Sequence, residues 1–233
     1  MQTSPDLTAL APTLDALDLV DRLRLVAERF PGRVAFSTSL GQEDQVITDA
    51  IWRENLPIRI FTLDTGRLFE ETQALIDATC TKYGRRMEVY FPDTAEVEAL
   101  VMTKGPLSFR DSVEERKACC HLRKVRPLER ALQNVDVWIT GLRREQSPNR
   151  QTMRIIEWDA NYELLKCNPL IDWSTDAMLD YLALYDVPDN PLHRQGFLSI
   201  GCAPCTRAIA PGEDPRAGRW WWEASHKECG LHR

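Results

Sequence analysis

Two pairs of cysteines are the residues in this sequence that are best suited to chemistry. Cys119 and Cys120 are adjacent in KACCHLRK, and Cys202 and Cys205 follow in GCAPC. Two pairs supply four thiolates, enough for one metal centre. A CxxC turn converges its sulfurs easily, whereas adjacent cysteines diverge and fit the separated corners of an iron–sulfur cube better than one tetrahedral zinc ion. We therefore favour a 4Fe-4S cluster over zinc, with metal-free structural or redox cysteines as the third alternative.

A fifth cysteine lies near the C-terminus, in the stretch SHKECGLHR. His226, Lys227, His232 and Arg233 surround Cys229 with positive charge, which favours the thiolate, although Glu228 opposes them. A lone terminal thiol is usually incidental. This one has the surroundings of a nucleophile, and we predict that a mobile tail from about residue 206 to 233 carries it into the site and out again.

Cations accompany both groups of cysteines. Lys124 lies one helical turn after Cys120, where it could face the metal centre, the ligand or both; the alternative is a lysine that faces solvent. Arg216 and Arg219 precede three consecutive tryptophans in RAGRWWWE, and they are suited to binding an anion. Cys80 and Cys167 lie in partly apolar periodic segments and are predicted to be core residues.

Polar loops follow three predicted strands. STSLGQED offers hydroxyls and free amides at a helix start, which suit a phosphate, although it lacks the GxxxxGK of a Walker A loop. LDTG contains Asp64, which could cap the next helix or bind a ribose. GLRREQSPNR carries Arg143, Arg144 and Arg150, a set suited to bidentate phosphate contacts. Plain structural turns and solvated arginines are the alternatives for all three loops.

These loops need a framework of strands and helices. Periodicity predicts a leading helix within about residues 1–30, strands at RVAFST, IRIFTL, RMEVYF and DVWIT, a hairpin of MRIIEW and YELLKC, and further helices over about 115–132 and at 174–186. Strands that alternate with helices predict an α/β fold with a mostly parallel sheet, helices on both faces and ligands beyond the carboxyl ends of the strands. We expect a single domain over residues 1–233 with a loop-rich C-terminal tail.

The composition excludes several classes of protein. With 43% hydrophobic residues, 27% charged residues and a net charge of -6, the chain is globular and lacks the basic excess of a general nucleic-acid binder. The sequence has no basic segment followed by an apolar stretch at its start and no run of 18 apolar residues, so we expect a soluble, cytoplasmic protein. Without a secretory signal, seven cysteines favour metal or thiol chemistry over a disulfide framework.

The order STSLGQED, LDTG, CC, GLRREQS, CxxC and KECGLH resembles the assimilatory sulfonucleotide reductases, specifically the adenylyl-sulfate (APS) reductases that hold a 4Fe-4S cluster. The resemblance spans about residue 30 to the end and implies an adenine-nucleotide α-hydrolase-like fold, related to the PP-loop proteins. It implies that Cys119, Cys120, Cys202 and Cys205 ligate the cluster and that Cys229 is the nucleophile. The implied substrate-binding residues are Ser37, Thr38, Ser39, Gly41, Glu43, Asp44, Leu63, Asp64, Thr65, Gly66, Lys124, Arg143, Arg144, Arg150, Arg216, Arg219 and His232.

The resemblance also implies a reaction. APS would be converted to sulfite and AMP through an S-sulfonate on Cys229, with thioredoxin or glutaredoxin as the reductant. The alternatives are a reductase of 3'-phosphoadenylyl sulfate (PAPS), a PP-loop ATP pyrophosphatase, and a cluster-bearing redox sensor without turnover. Both cysteine pairs favour APS, because PAPS-using relatives often lack them. The sequence leaves the oligomeric state open, and a homo-oligomer is compatible with it.

Overall fold

The computed structural model describes residues 7–147 and 150–223 of the chain. Its helices are α1 (Leu7–Asp15), α2 (Leu19–Arg29), α3 (Gln42–Arg53), α4 (Glu70–Tyr83), α5 (Thr94–Lys104), α6 (Val113–Cys120), α7 (Arg126–Ala131) and α8 (Thr175–Leu184). Its strands are β1 (Val34–Thr38), β2 (Arg59–Leu63), β3 (Glu88–Tyr90), β4 (Val137–Ile139), β5 (Ile156–Asp159) and β6 (Leu164–Cys167). None of the helices in these ranges is long and apolar enough to cross a membrane.

The six strands form one sheet in the order β3-β2-β1-β4-β6-β5. Strands β1 and β4 are parallel, with Val34 opposite Val137, and β4 is parallel to β6. Strand β5 runs antiparallel to β6, as the predicted hairpin requires. All residues of β4 and β6 are buried, because a parallel sheet covered on both faces exposes neither side of its central strands. The predicted α/β class and mostly parallel sheet are confirmed.

The single leading helix predicted within residues 1–30 is wrong. The chain forms α1 and α2 instead, because Asp18 has extended backbone geometry and its side chain accepts a hydrogen bond from the Asp21 amide (2.9 Å). Such a cap starts a new helix even though the apolar periodicity runs on across the break. A second predicted helix, over about 115–132, is interrupted by a π-helix at His121–Val125.

The chain divides into two compact units. The first unit contains Met1–Phe61, Ala78–Met87 and Leu132–Asp189. Phe36, Ile47, Ile51 and Ile139 are fully buried in it. The equally buried Arg22 is paired with Asp172 through two contacts of 2.7 and 2.8 Å, which compensates the cost of burying its charge.

The second unit contains Thr62–Asp77, Glu88–Ala131 and Asn190–Arg233. Its buried cluster consists of Phe109, Cys119, Cys202, Cys205 and Trp220, with Trp222 packed against it. Helix α5 buries none of its residues, so it adds little to this core. Three of the four paired cysteines are therefore core residues of the second unit.

Candidate functional site

The two cysteine pairs line one cavity in the second unit. Cys119, Cys202 and Cys205 are buried and Cys120 is partly exposed. The residues around the cavity are Arg67, Phe109, Arg116, Cys119, Cys120, Arg123, Lys124, Cys202 and Cys205. No disulfide joins any of the six cysteines in the described ranges. Residues that lie 82 positions apart in the chain are thus brought to one site by the fold.

Each cysteine pair has its own local backbone. Ser112 caps the start of α6, and Cys119 and Cys120 end that helix directly before the π-helix. The wider turn of a π-helix changes the direction in which neighbouring side chains point, and such turns are frequent at functional sites. Cys202 and Cys205 flank a short 3-10 turn, closed by a hydrogen bond from the Cys205 amide to the Cys202 carbonyl (2.9 Å). The turn directs both of its sulfurs into the cavity.

Burial and positive charge oppose each other at the thiols. Burial raises the pKa of Cys119, while Arg67 and Arg123 lower it. Burial likewise raises the pKa of Cys205 to about 12; Cys202 and Cys120 add to the rise, and Lys124 opposes it. Thiols this deeply buried form thiolates when a bound cation compensates the charge, which is the behaviour of metal ligands. Lys124 lines the same cavity as the cysteines, which agrees with the predicted orientation toward the metal centre.

Unpaired donors next to the cavity test whether a cluster fits. Arg67 Nη1, Arg123 Nε, Trp220 Nε1 and Trp222 Nε1 are buried and have no hydrogen-bond partner among the described residues. Buried N–H groups without an acceptor are rare, and the sulfurs of an iron–sulfur cluster accept such bonds. Within residues 7–147 and 150–223, no three His, Cys, Asp or Glu side chains converge on a position for one metal ion. Four thiols around a cavity ringed by cations and open donors fit a cluster that has one iron at each corner.

The LDTG loop lies beside the cysteines in the second unit. Thr65 Oγ1 is 3.2 Å from Cys202 Sγ, and Arg123 donates to the Thr65 carbonyl (2.6 Å). Asp64 accepts from the Gly66 amide (2.8 Å), so it closes its own turn and does not cap α4. Gly66 has a φ of +69°, a conformation that favours glycine. Leu63 is the last residue of β2.

Arg219 is buried next to the CxxC segment. Its guanidinium donates to Ser199 Oγ (3.3 Å) and stacks at 4.7 Å from the Trp220 ring centroid. Its charge also lowers the pKa of Cys205. A β-carbon on Gly201 would lie 2.3 Å from Arg219 Nη2, so only glycine leaves room for this arginine. Arg216 is half-buried, and its amide donates to Asp214 (2.8 Å).

The STSLGQED loop belongs to the first unit and joins β1 to α3. Gly41 directly precedes α3 as its N-cap residue and makes no side-chain cap, and the first amides of the helix lie at the positive end of its dipole. The Ser37 hydroxyl accepts from Trp138 Nε1 (2.8 Å), and Thr38 Oγ1 accepts from the Leu40 amide (3.0 Å). Leu40 has a φ of 62°, so the loop turns sharply before the helix.

Asp44 fixes the conformation of this loop. The buried carboxylate accepts from the Ser39 amide (2.6 Å) and from the Ser39 hydroxyl (2.7 Å). Burial raises the pKa of Asp44 to about 7, while the hydrogen bonds from Ser39 oppose that rise. A β-carbon on Gly141 would lie 2.1 Å from Asp44 Oδ1, so Asp44 packs directly on the backbone after β4. Asp44 is therefore a residue that holds the loop in place.

The three arginines of the GLRREQSPNR loop differ in their surroundings. Arg143 is buried and donates to Glu43 Oε1 at 2.9 and 3.0 Å, to Glu145 (2.9 Å) and to the Trp173 carbonyl (3.1 Å). These internal contacts make Arg143 and Glu43 a structural bridge. Arg144 is half-buried and donates to the Met153 carbonyl (3.2 Å). Arg150 is buried beside Gln146.

Sequence reasoning missed three cations that the fold directs toward the cysteines. Arg116 and Arg123 are four residues before Cys120 and four after Cys119, spacings that place them on the cysteine face of a helix. Arg67 directly follows LDTG. Cys80 and Cys167 are buried core residues, as predicted. Cys229 and His232 lie outside the described residues, so their predicted roles stay predictions.

Comparison with known proteins adds the family. Residues 33–208 match the phosphoadenosine phosphosulfate reductase domain. The chain belongs to this reductase family. It is 53% identical over 225 residues to an adenosine 5'-phosphosulfate reductase of Sinorhizobium fredii strain NGR234, covering 96% of this chain and 89% of that protein. It is 55% identical over 201 residues to an adenosine 5'-phosphosulfate reductase of Allochromatium vinosum, covering 86% and 78%.

Two solved structures resemble the fold of this chain, and one of them is a reductase. A phosphoadenylyl-sulfate reductase from Candida auris, crystallised as a phosphate complex, has a TM-score of 0.76 and 26% identity, covering 88% of this chain and 98% of that one. Yeast FAD synthetase has a TM-score of 0.56 at 15% identity, covering 89% of this chain and 70% of that one. The second likeness shows the fold alone. Both agree with the mostly parallel α/β fold predicted from the sequence.

Proposed function

We propose that this chain is an APS reductase, which converts APS to sulfite and AMP. The observation that carries the proposal is the meeting of both cysteine pairs in one cation-ringed cavity. The two reductases reported above that are more than half identical to the chain are named for APS, whereas the structure named for PAPS is 26% identical. PAPS is therefore the second candidate substrate, favoured only by that likeness in fold.

A bound 4Fe-4S cluster would be held by Cys119, Cys120, Cys202 and Cys205. It would supply a compact group, negatively charged overall with its thiolates, that orders this part of the second unit. The cations of the protein then have two tasks. They compensate the thiolates, and Lys124 and Arg219, which face the cysteines, extend positive charge to a phosphosulfate group bound beside them.

Residues suited to nucleotide groups are proposed for the polar strand-end loops of each unit taken by itself. In the first unit the start of α3, held by Asp44, offers amides to the phosphate, and Arg144 and Arg150 offer guanidinium groups. In the second unit the LDTG loop presents its turn after β2. Arg143 already serves Glu43 and Glu145, so we assign it to holding the loop and not to the substrate.

The reaction proposed for these residues is a thiol displacement. The Cys229 thiolate attacks the sulfur of APS, the bond between that sulfur and the bridging phosphate oxygen breaks, and AMP leaves with the bond's electron pair. A thiolate of reduced thioredoxin or glutaredoxin then attacks Cys229 Sγ and releases sulfite. The second thiol of the reductant resolves the mixed disulfide, which supplies the two electrons in total. Because this exchange needs a reduced thiol pool, we propose that it takes place in the cytoplasm.

Sulfite production with reduced thioredoxin, from APS and from PAPS in parallel, tests the proposal. We expect turnover with APS and little with PAPS; the reverse preference would make the chain a PAPS reductase.

In single turnover without reductant, wild-type protein should release AMP and gain a sulfonate mass on Cys229. The Cys229→Ser variant should do neither, and AMP release from it at the wild-type rate would remove this thiol from the mechanism. Iron and acid-labile sulfide assays on anaerobically prepared protein test the cluster.

A further inference from the structure

A buried ion pair joins the cysteine-bearing helix to the last described residue. Arg116 Nε lies 2.6 Å from Glu223 Oε1, and both side chains are at most 5% exposed. The Arg116 guanidinium also stacks over the Trp220 ring, 4.4 Å from its centroid. A buried ion pair destabilises the folded protein unless packing maintains its geometry, and here Trp220 provides that packing.

The same arginine reaches the cysteine centre. Arg116 lines the cavity together with Cys120, which is four residues later on α6. The guanidinium that pairs with Glu223 therefore belongs to a residue that also lines the cysteine cavity.

The backbone near Glu223 is tied to the second cysteine pair. The Trp220 amide donates to the Cys205 carbonyl (3.2 Å), and a β-bridge pairs Thr206 with Arg219. Trp220 adopts a φ of 41°, which turns the chain there, and the Glu223 amide donates back to the Trp220 carbonyl (2.9 Å). Segments from both cysteine pairs thus converge on residues 219–223.

We propose that Arg116, Trp220 and Glu223 form an anchor that fixes the start of the C-terminal segment at the cysteine centre and so sets the reach of Cys229. The inference rests on the function proposed above. Cys229 follows Glu223 by six residues, which span at most about 20 Å when extended. A fixed starting point confines the thiol to a small volume and raises its effective concentration toward a bound substrate. Arg116 is accordingly a positioning residue and not a catalytic one.

The test uses Glu223→Gln, Arg116→Lys and the double variant Arg116→Gln/Glu223→Gln in the complete, cluster-loaded protein. Glu223→Gln keeps the size of the side chain and removes its charge. The double variant removes both charges together, so that neither is left buried without a partner. Lys104→Gln is the matched control, because Lys104 at the end of α5 forms a partly exposed ion pair (2.6 Å) with Glu115, the neighbour of Arg116 on α6.

The first measurement is AMP release from APS in single turnover. Iron content and AMP affinity are measured on the same proteins, and alkylation of Cys229 by iodoacetamide is followed by mass spectrometry. The anchor predicts that AMP release slows about 10-fold or more in all three anchor variants. Iron content and AMP affinity should stay at wild-type values, and alkylation, which needs no positioning, should be equal or faster. The control should match wild type throughout.

The outcomes separate this inference from the proposed function. If wild-type protein forms no sulfonate on Cys229, the proposed function fails. If wild type forms it and the anchor variants react at the wild-type rate, the function stands and the anchor is wrong. A loss of iron or of AMP affinity in step with the loss of rate would also overturn it, because the pair would then only maintain the fold.

Discussion

At two glycines, a charged side chain occupies the position that a β-carbon would take. Gly201 makes room for the Arg219 guanidinium beside the CxxC segment, and Gly141 makes room for the Asp44 carboxylate below the STSLGQED loop. Neither glycine has a positive φ, so in both cases the requirement is steric and not conformational. The candidate site thus depends on two glycines that contribute no functional group themselves.

Gly201→Ala should displace Arg219 without straining its own backbone. The added methyl group would overlap the guanidinium at 2.3 Å, and the arginine would have to leave its position. We expect sulfite production from APS to fall on the order of 10-fold or more, with iron content retained. Steady-state kinetics of Gly201→Ala and Arg219→Ala should show similar losses. Wild-type turnover in Gly201→Ala would mean that the position of Arg219 is unimportant.

Asp44 should make stability depend on pH in an unusual direction. Burial raises its pKa to about 7 from an ordinary 3.8, so the folded state holds the proton more tightly than the unfolded chain does. The contribution of Asp44 to the free energy of unfolding therefore declines as the pH rises from about 4 to about 7 and is constant above that range. Relative to Asp44→Asn, the wild-type free energy of unfolding should drop by about 2 kcal/mol between pH 5 and pH 7. Urea unfolding of both proteins at each pH measures the difference, and a pH-independent gap would contradict this assignment.

At the scale of elements, the π-helix at His121–Val125 is the feature that distinguishes the cysteine segment. It follows Cys120 directly and precedes α7, and it contains the buried Arg123 and the cavity-lining Lys124. A π-helix holds one more residue than a regular α-helix would over the same turn. Without that residue, the cysteines would be rotated by about 100° relative to α7. The extra residue of the π-helix thus sets which way the cysteine pair faces.

Deletion of His121 should convert this stretch to a regular helix and turn Cys119 and Cys120 away from the CxxC turn. His121 is exposed, so its removal leaves no cavity in the core. We expect iron content to drop to less than about a quarter of the wild-type amount, because two of the four proposed ligands would be misdirected. His121→Ala keeps the residue count and should retain its iron. Equal iron in both variants would show that the π-helix is not needed.

At the scale of the whole molecule, the two units differ in what fills their cores. The first unit buries aliphatic and aromatic side chains such as Phe36, Ile47 and Ile139. The second unit buries three of the four cavity cysteines with Phe109 and Trp220. A group bound by those cysteines would therefore contribute directly to the stability of the second unit alone.

Removal of the proposed cluster should consequently loosen the second unit first. We expect faster hydrogen exchange at residues 108–120 and 199–223 after anaerobic treatment with an iron chelator, while residues 34–53 and 156–184 keep their protection. Mass spectrometry of peptic fragments before and after chelation measures this. Equal loss of protection in both groups of segments would show that the bound group stabilises the whole chain and not one unit.

The sequence by itself determined most of the element types of this protein and the candidate residues for its chemistry. Periodicity and turn residues are local signals, so the strands, the hairpin and most helices could be predicted, as could the two cysteine pairs and their family resemblance. Only the tertiary structure decided which charges are already paired. Arg143 is occupied by Glu43, Asp44 is buried against Gly141, and Arg116 binds Glu223 from 107 positions away. Burial and pairing depend on residues that are distant in the chain, and no local pattern encodes them.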